Sequence, residues 1–272
     1  MKKLHLSILI LTSATAFGFG QTAIDFSFGY ERSGDYDMIY SPNVYVGNGA
    51  SARLGFSFGA AFIRHTIGLS FGYGSEQSNG SDVPPDFTYL QNGIPTPLDA
   101  MTSYFHSNGL GFVLSYSLQF RLSREDAPFR PSLGPELSVH GSMIGMDTYC
   151  LDYSLGLSLS CEYRLPANGT LRFDLAVPLV SLVNRPAYSL FDNQIMINWE
   201  SNLIKEFVHF DKVASPFLGD FFSADLSLRY EYPLSQRWGV GIEYRGYFAY
   251  CAFPAVMLRL DHAVQVLIEL SF

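Results

Sequence analysis

The sequence predicts an all-β fold, a closed antiparallel barrel of ten strands that crosses a membrane, and three observations carry that prediction. Long segments alternate apolar with polar or small residues at period two, the mark of sheets whose two faces meet different surroundings. The composition is rich in aromatics (15%, with 17 Tyr and 23 Phe) and poor in charge (15%), too poor for a chain that must clothe itself in water. Finally, the linkers between the alternating segments are short and long in turn, as in a meander with a turn side and a loop side. After the first twenty residues no apolar run reaches the roughly 18 residues that a spanning helix needs.

The chain begins Met1-Lys2-Lys3, continues with a mostly apolar run from Leu4 to Phe19, and reaches Gly20-Gln21. That is the layout of a secretory signal peptide, cut ahead of Gln21, with Ala14 and Ala16 marking a second site. The expected organisation is therefore a leader over residues 1–20 and one barrel domain over residues 21–272. The leader holds two of the 17 basic residues and none of the 25 acidic ones, so the remainder carries 15 against 25, a net charge of −10. Only Lys205 and Lys212 remain as lysines. An acidic chain of this kind lacks the basic track that nucleic-acid phosphates require, which excludes nucleic acid as an expected partner. Cys150, Cys161 and Cys251 are odd in number and without CxxC or metal-ligand spacing, so no metal or other cofactor is implied. A Cys150–Cys251 disulfide is conceivable because both should face inward near one rim.

Strands are expected at Ile24 to Tyr30, Ala50 to Phe62, His65 to Gly74, Tyr104 to Leu122, Phe129 to Ser142, Cys150 to Leu165, Thr170 to Leu182, Phe221 to Tyr232, Arg237 to Tyr250 and Arg259 to Phe272. The clearest alternation sets Phe222, Ala224, Leu226, Leu228, Tyr230 and Tyr232 against Ser223, Asp225, Ser227, Arg229 and Glu231. Segments of about 9 to 14 residues suit tilted membrane strands, which need about 9 to 11, whereas sandwich strands usually have about 5 to 6. Short turns fall at Ile63-Arg64, Ser123 to Pro128, Pro166 to Gly169 and Pro233 to Gln236, rich in Pro, Asn, Gly and Ser. Long loops fall at Glu31 to Gly49, Ser75 to Ser103, Met143 to Tyr149, Val183 to Asp220 and Cys251 to Leu258. Within the fourth, Met196, Trp199, Leu203, Phe207 and Phe210 recur at helical spacing and predict an amphipathic helix; the alternative is an extra hairpin and twelve strands.

At the carboxyl end Val264, Val266, Ile268, Leu270 and Phe272 occupy every second position and the chain stops at the aromatic. Over these last nine residues it resembles the assembly signal of bacterial outer-membrane barrel proteins. The resemblance implies Sec-dependent export, outer-membrane lipid as surroundings and the barrel assembly machinery as a partner. The greasy strand faces then meet lipid, and the lumen receives Asp25, Arg53, Arg121, Arg130, Glu136, Asp152, Glu162, Arg164, Arg172, Asp174, Asp225, Arg229, Glu231, Glu243, Arg245 and Glu269. A barrel this narrow favours a structural ion-pair network. Small residues on one wall, among them Gly55, Ser57, Gly68, Ser70, Gly72, Gly111, Ser115 and Ser117, leave room for the alternatives: a pore, a ligand or an inward-folded loop.

Omptin surface proteases are also ten-stranded barrels. The sequence is similar to them in carrying Asp35 with Asp37 and His209 with Asp211 on expected surface loops, a set in which carboxylates and an imidazole activate water against a peptide bond. The second pair reads His before Asp, the reverse of the omptin order. His65 and His106 lie beside strands without a paired nucleophile, and neither GxSxG nor HExxH occurs. The expected role is non-enzymatic: a structural or surface-interaction protein whose loops meet an extracellular ligand or protein, with a narrow solute pore and then an omptin-like protease as alternatives.

Overall fold

The computed structural model describes residues 21–37, 41–60, 62–78, 88–91, 94–97, 106–124, 126–144, 148–166, 168–185, 212–253 and 256–272. The leader, the expected helix around Met196 to Phe210, and His209 and Asp211 lie outside them.

Ten long strands follow one another: β1 (Gln21–Asp37), β2 (Ser41–Ala60), β3 (Ile63–Ser78), β4 (His106–Arg121), β5 (Phe129–Ile144), β6 (Thr148–Arg164), β7 (Thr170–Asn184), β8 (Phe221–Pro233), β9 (Trp238–Cys251) and β10 (Met257–Ser271). Each pairs antiparallel with the next, and β10 returns to β1 from Ser271 opposite Ala23 to Met257 opposite Asp37. The sheet is closed. Because β7 pairs directly with β8, from Thr170 opposite Glu231 to Ala176 opposite Asp225, the twelve-strand alternative is excluded. Among the described residues no helix is long and apolar enough to cross a membrane.

Period two sets the sidedness. Along β1, Phe26, Phe28 and Tyr30 face outward at 44, 53 and 56% exposure, while Asp25 and Ser27 between them are buried. The same inversion runs around the wall: Leu54, Phe71, Leu114, Leu137, Leu155, Leu228, Ile242 and Val266 are exposed, and most buried side chains among the described residues are polar. Water would reject such an outer surface, whereas lipid accepts it and a closed barrel leaves no sheet edge to satisfy there. Aromatic and polar side chains satisfy one another at the belt margins, as in the Tyr30–Asn48 hydrogen bond and in His65, which stacks on Phe58 and lies 2.9 Å from the Tyr116 hydroxyl.

The expected loops need correction. β1 runs to Asp37 and β2 starts at Ser41, so the first loop shrinks to residues 38–40; the third shrinks to 145–147. These hairpins rise beyond the lipid, where both sheet faces are wet and alternation fades. Ile63 and Arg64, expected as a turn, open β3 instead. In the second loop Thr88–Gln91 and Ile94–Pro97 form a separate small hairpin. In the fourth, Lys212–Ala214 pairs with β7 and a short 3-10 turn, Pro216–Leu218, follows.

Candidate functional site: the barrel lumen

The inner face is a lattice of ion pairs and hydrogen bonds that reaches across the lumen. Arg229 on β8 lies 3.3 Å from Asp25 on β1, 3.2 Å from Glu243 on β9 and 3.1 Å from Glu231. Arg53 on β2 meets the same Asp25 at 2.8 Å and Glu243 at 3.7 Å. Ser27 donates to Gln265 and Glu243, and Gln265 donates in turn to Ser51. Farther toward the periplasmic end, Arg64 reaches Glu162 at 3.5 Å, and Arg172 pairs with Asp174 at 2.9 Å. Burying so many charges is tolerable only because each finds opposite charge and hydrogen bonds nearby.

Small residues make this lattice fit. A Cβ built on Gly55 would stand 2.2 Å from the Asp25 carboxylate, and one on Gly72 would stand 2.6 Å from that of Glu31. The wall of glycines and serines on β2, β3 and β4 is thus partly filled by long charged side chains from elsewhere: Arg245 of β9 donates to Ser70 of β3 at 2.6 Å.

Two of the cavities among the described residues have the most room. One, of about 90 Å³, opens in the outer half and is lined by Glu31, His140, Asp152, Arg245, Tyr247 and Arg259 among others. The second, also about 90 Å³, lies deeper, between Arg53, Glu136, Arg172, Asp174 and Glu243. Arg245 and Asp225 line both. At the junction the His140 imidazole stacks on Tyr247 with centroids 5.0 Å apart, and its Nε2 is 3.5 Å from Asp225. Asp152 sits opposite His140 in the β5–β6 register and accepts from Ser154 at 2.7 Å.

The other expected lumen charges have the following places. Arg130 is buried opposite Glu162. Arg121 is half-buried, and Arg164, on the same strand face as Glu162, is exposed at the periplasmic end of β6. Glu269 is half-buried and accepts from Ser271 at 3.0 Å. Arg259 and Asp261 face inward 2.7 Å apart, with Asp35 3.7 Å from Arg259. Sequence reading missed Glu31, Arg64, Arg259 and Asp261; the inward parity of the last expected strand already contains Arg259 and Asp261, and extending the period-two pattern past the apparent strand ends would have found Glu31 and Arg64. Asp35 was assigned to a surface loop, but it points into the barrel and is buried. Cys150 and Cys251 are thiols, both in an apolar cluster with Val183, Phe221 and Met257 near the outer rim. Val264, Val266 and Ile268 face lipid, and Phe272 is exposed with its N–H donating to the Thr22 carbonyl. Among the described residues no group of three His, Cys, Asp or Glu side chains is placed to hold a metal.

The outer membrane protease OmpT from Escherichia coli superposes with a TM-score of 0.50 at 9% identity, over 93% of this chain and 97% of that one. The chain has the fold of a small bacterial outer-membrane β-barrel. Neisserial surface protein A (TM-score 0.36, 8% identity, 93% of this chain and 99% of that one) and an outer-membrane channel from Pseudomonas putida F1 (0.38, 9%, 92% and 95%) are also similar in overall form. At these identities the likeness is one of fold, and fold alone assigns no role. No protein-family model matches the sequence, and no curated protein matches it. The lipid-facing belt and the closed barrel place the protein in the bacterial outer membrane.

Proposed function

We propose that the protein is a non-conducting, non-enzymatic outer-membrane barrel that acts at the cell surface, through its protruding hairpins and the outward-opening half of its lumen. The observation that carries this reading is the charge lattice of Asp25, Arg53, Arg229 and Glu243. Its members come from β1, β2, β8 and β9, and they tie strands three places apart around the wall to one another across the lumen below the outer cavity. Each guanidinium there is held by at least two carboxylates, so displacing one to let a solute pass exposes buried charge. The outer cavity offers both signs of charge beside the apolar Phe221 and Met257, a surface suited to a small ligand with polar and apolar parts.

One observation favours a second reading, a gated pore: the two cavities share Val113, Asp225 and Arg245 in their linings, so a single side-chain layer stands between them. Planar-bilayer recording of the refolded chain separates the two. The proposed reading expects no discrete conductance steps across the voltage range; steady steps from the unmodified protein would replace it with the pore.

A further inference from the structure

Charge is almost absent from the lipid-facing parity of the barrel. Every acidic side chain described on the ten strands sits on the inward parity, and so does every arginine there except Arg32. Arg32 continues the outward series Phe26, Phe28 and Tyr30 on β1; it is exposed and makes no ion pair or hydrogen bond among the described residues. It stands directly opposite His262 of β10 on one side and Asn48 of β2 on the other, and Asn48 in turn stands opposite Ser75 of β3. Opposite side chains on one face of a sheet lie about 4.5–5.5 Å apart at Cβ, so the four make a continuous row.

The row offers donors because its own neighbours occupy the acceptors. Oδ1 of Asn48 accepts from the Tyr30 hydroxyl, which leaves the amide N–H groups facing out. Nδ1 of His262 takes the Tyr244 hydroxyl, whose ring centroid is 6.0 Å from that of the imidazole, so the neutral ring keeps its proton on Nε2. The Arg32 guanidinium can only donate. Three neighbouring residues therefore present N–H groups to the outside, and no carboxylate shares their face.

The row also spans the depth at which a lipid headgroup meets its chains. On β1 the apolar stretch ends at Tyr30, one outward position before Arg32, whereas on β10 Leu260 and Leu258 continue beyond His262 and are 46 and 40% exposed. Tilted strands bring residues that are opposite in register to different depths. His262 thus lies within the belt, and Arg32 and Asn48 at its edge, on the side away from both termini.

We propose that Arg32, Asn48 and His262 form a docking site on the outside of the barrel for a phosphorylated glycolipid of the outer leaflet. A phosphate takes the Arg32 guanidinium, whose paired N–H groups match two of its oxygens. The Asn48 amide and the Ser75 hydroxyl bond the sugar beside it, and Nε2 of His262 donates to an acyl carbonyl just below. An acidic chain repels anionic lipid over most of its surroundings, so the acid-free face around its one outward guanidinium is where a phosphate can approach. The site lies outside the wall and does not depend on what the lumen does.

The test titrates the refolded chain in mild detergent with bisphosphorylated lipid A and counts adducts by native mass spectrometry. One saturable adduct per barrel is expected. Losing a charge-assisted contact weakens binding about tenfold or more, so Arg32→Gln should shift the titration by that factor, and Arg32→Lys, which keeps charge without the paired geometry, by less. Lipid A stripped of its phosphates should bind the unmodified chain about as weakly as the intact lipid binds Arg32→Gln, and should not distinguish the two proteins, since guanidinium and phosphate act on each other. Asn48→Asp sets a carboxylate beside Arg32 and should also remove the adduct, whereas Arg237→Gln, at an exposed arginine of the periplasmic end, should leave it unchanged. Arg32 is exposed and unpaired, so its variants should keep the heat-dependent gel mobility of the folded barrel. An Arg32→Gln titration that matches the unmodified chain, or one displaced equally for both forms of the lipid, would overturn the proposal. So would displacement of the adduct by an equal amount of phosphatidylglycerol, which would make the row a general anionic-lipid rim, or a dimer that Arg32→Gln abolishes, which would put a second copy on this face.

Discussion

Replacing Arg229 by methionine probes the lattice at its most connected point. The guanidinium is buried and lies within 3.3 Å of three carboxylates, those of Asp25, Glu231 and Glu243. At an effective dielectric of about 20, each such contact is worth on the order of 5 kcal/mol before desolvation is subtracted. Methionine keeps an unbranched apolar stem out to the Nε position but removes the guanidinium carbon and its two terminal nitrogens with their charge, so Asp25, Glu231 and Glu243 are left with Arg53 as the cation closest to two of them. Removing one member of a buried pair typically costs about 3–5 kcal/mol, most of it the penalty of the uncompensated partners. The assay is urea unfolding of the refolded barrel in lipid vesicles, followed by heat-dependent gel mobility and tyrosine fluorescence. Arg164→Met at the exposed periplasmic end serves as control and should stay within about 0.5 kcal/mol. The double variant Arg229→Met with Glu243→Met should regain at least half of the loss, since an apolar replacement of a whole pair is often neutral. A loss below about 1 kcal/mol for Arg229→Met, or one no larger than the control's, would refute the lattice as a source of stability.

Gly55→Ala should cost about 1–3 kcal/mol in the same assay, because its Cβ would meet the Asp25 carboxylate at 2.2 Å and force the Asp25–Arg53 pair apart. Arg53→Ser with Arg229→Ser removes both guanidinia from the constriction and should convert a silent barrel into one that conducts in planar bilayers; a variant that folds and remains silent would place the barrier elsewhere. Phe272→Ser removes the final aromatic of the alternating carboxyl end and should slow membrane insertion of the exported chain several-fold in an assembly time course. It should leave the stability of the folded barrel nearly unchanged, since the Phe272 ring is 54% exposed.

The barrel was legible in the sequence because lipid enforces period two wherever a strand crosses it. In β8 the alternation of Leu226, Leu228 and Tyr230 with Asp225, Ser227 and Arg229 decides which residues face in, and the structure follows it residue by residue. Strand ends were less legible. Glu31 to Asp37 and Ser41 to Gly49 project beyond the belt, lose the outward apolar requirement, and read as loop although they are paired strands. The lumen was legible as a set of residues but not as contacts. Arg229 meeting Asp25, and Arg245 meeting Ser70, join strands three and four places apart around the wall, distances that only closure and register determine. The β7 bulge, where Leu155 of β6 stands opposite Val180 but Gly156 opposite Pro178, left a trace in Pro178, a poor residue for a strand interior, but the 3-10 turn Pro216–Leu218 before β8 has no signature in the alternation.

The central claim is the inverted barrel itself, with lipid outside and a charge-filled lumen inside. It is tested most directly by placing a nitroxide at each position from Ile24 to Tyr30 in turn and comparing accessibility to lipid-dissolved oxygen with that to a water-soluble nickel complex. The structure predicts strong oxygen access at Ile24, Phe26, Phe28 and Tyr30 and weak access to either reagent at Asp25 and Ser27. Nickel access at Phe26 and Phe28, or the absence of any two-residue alternation, would contradict it.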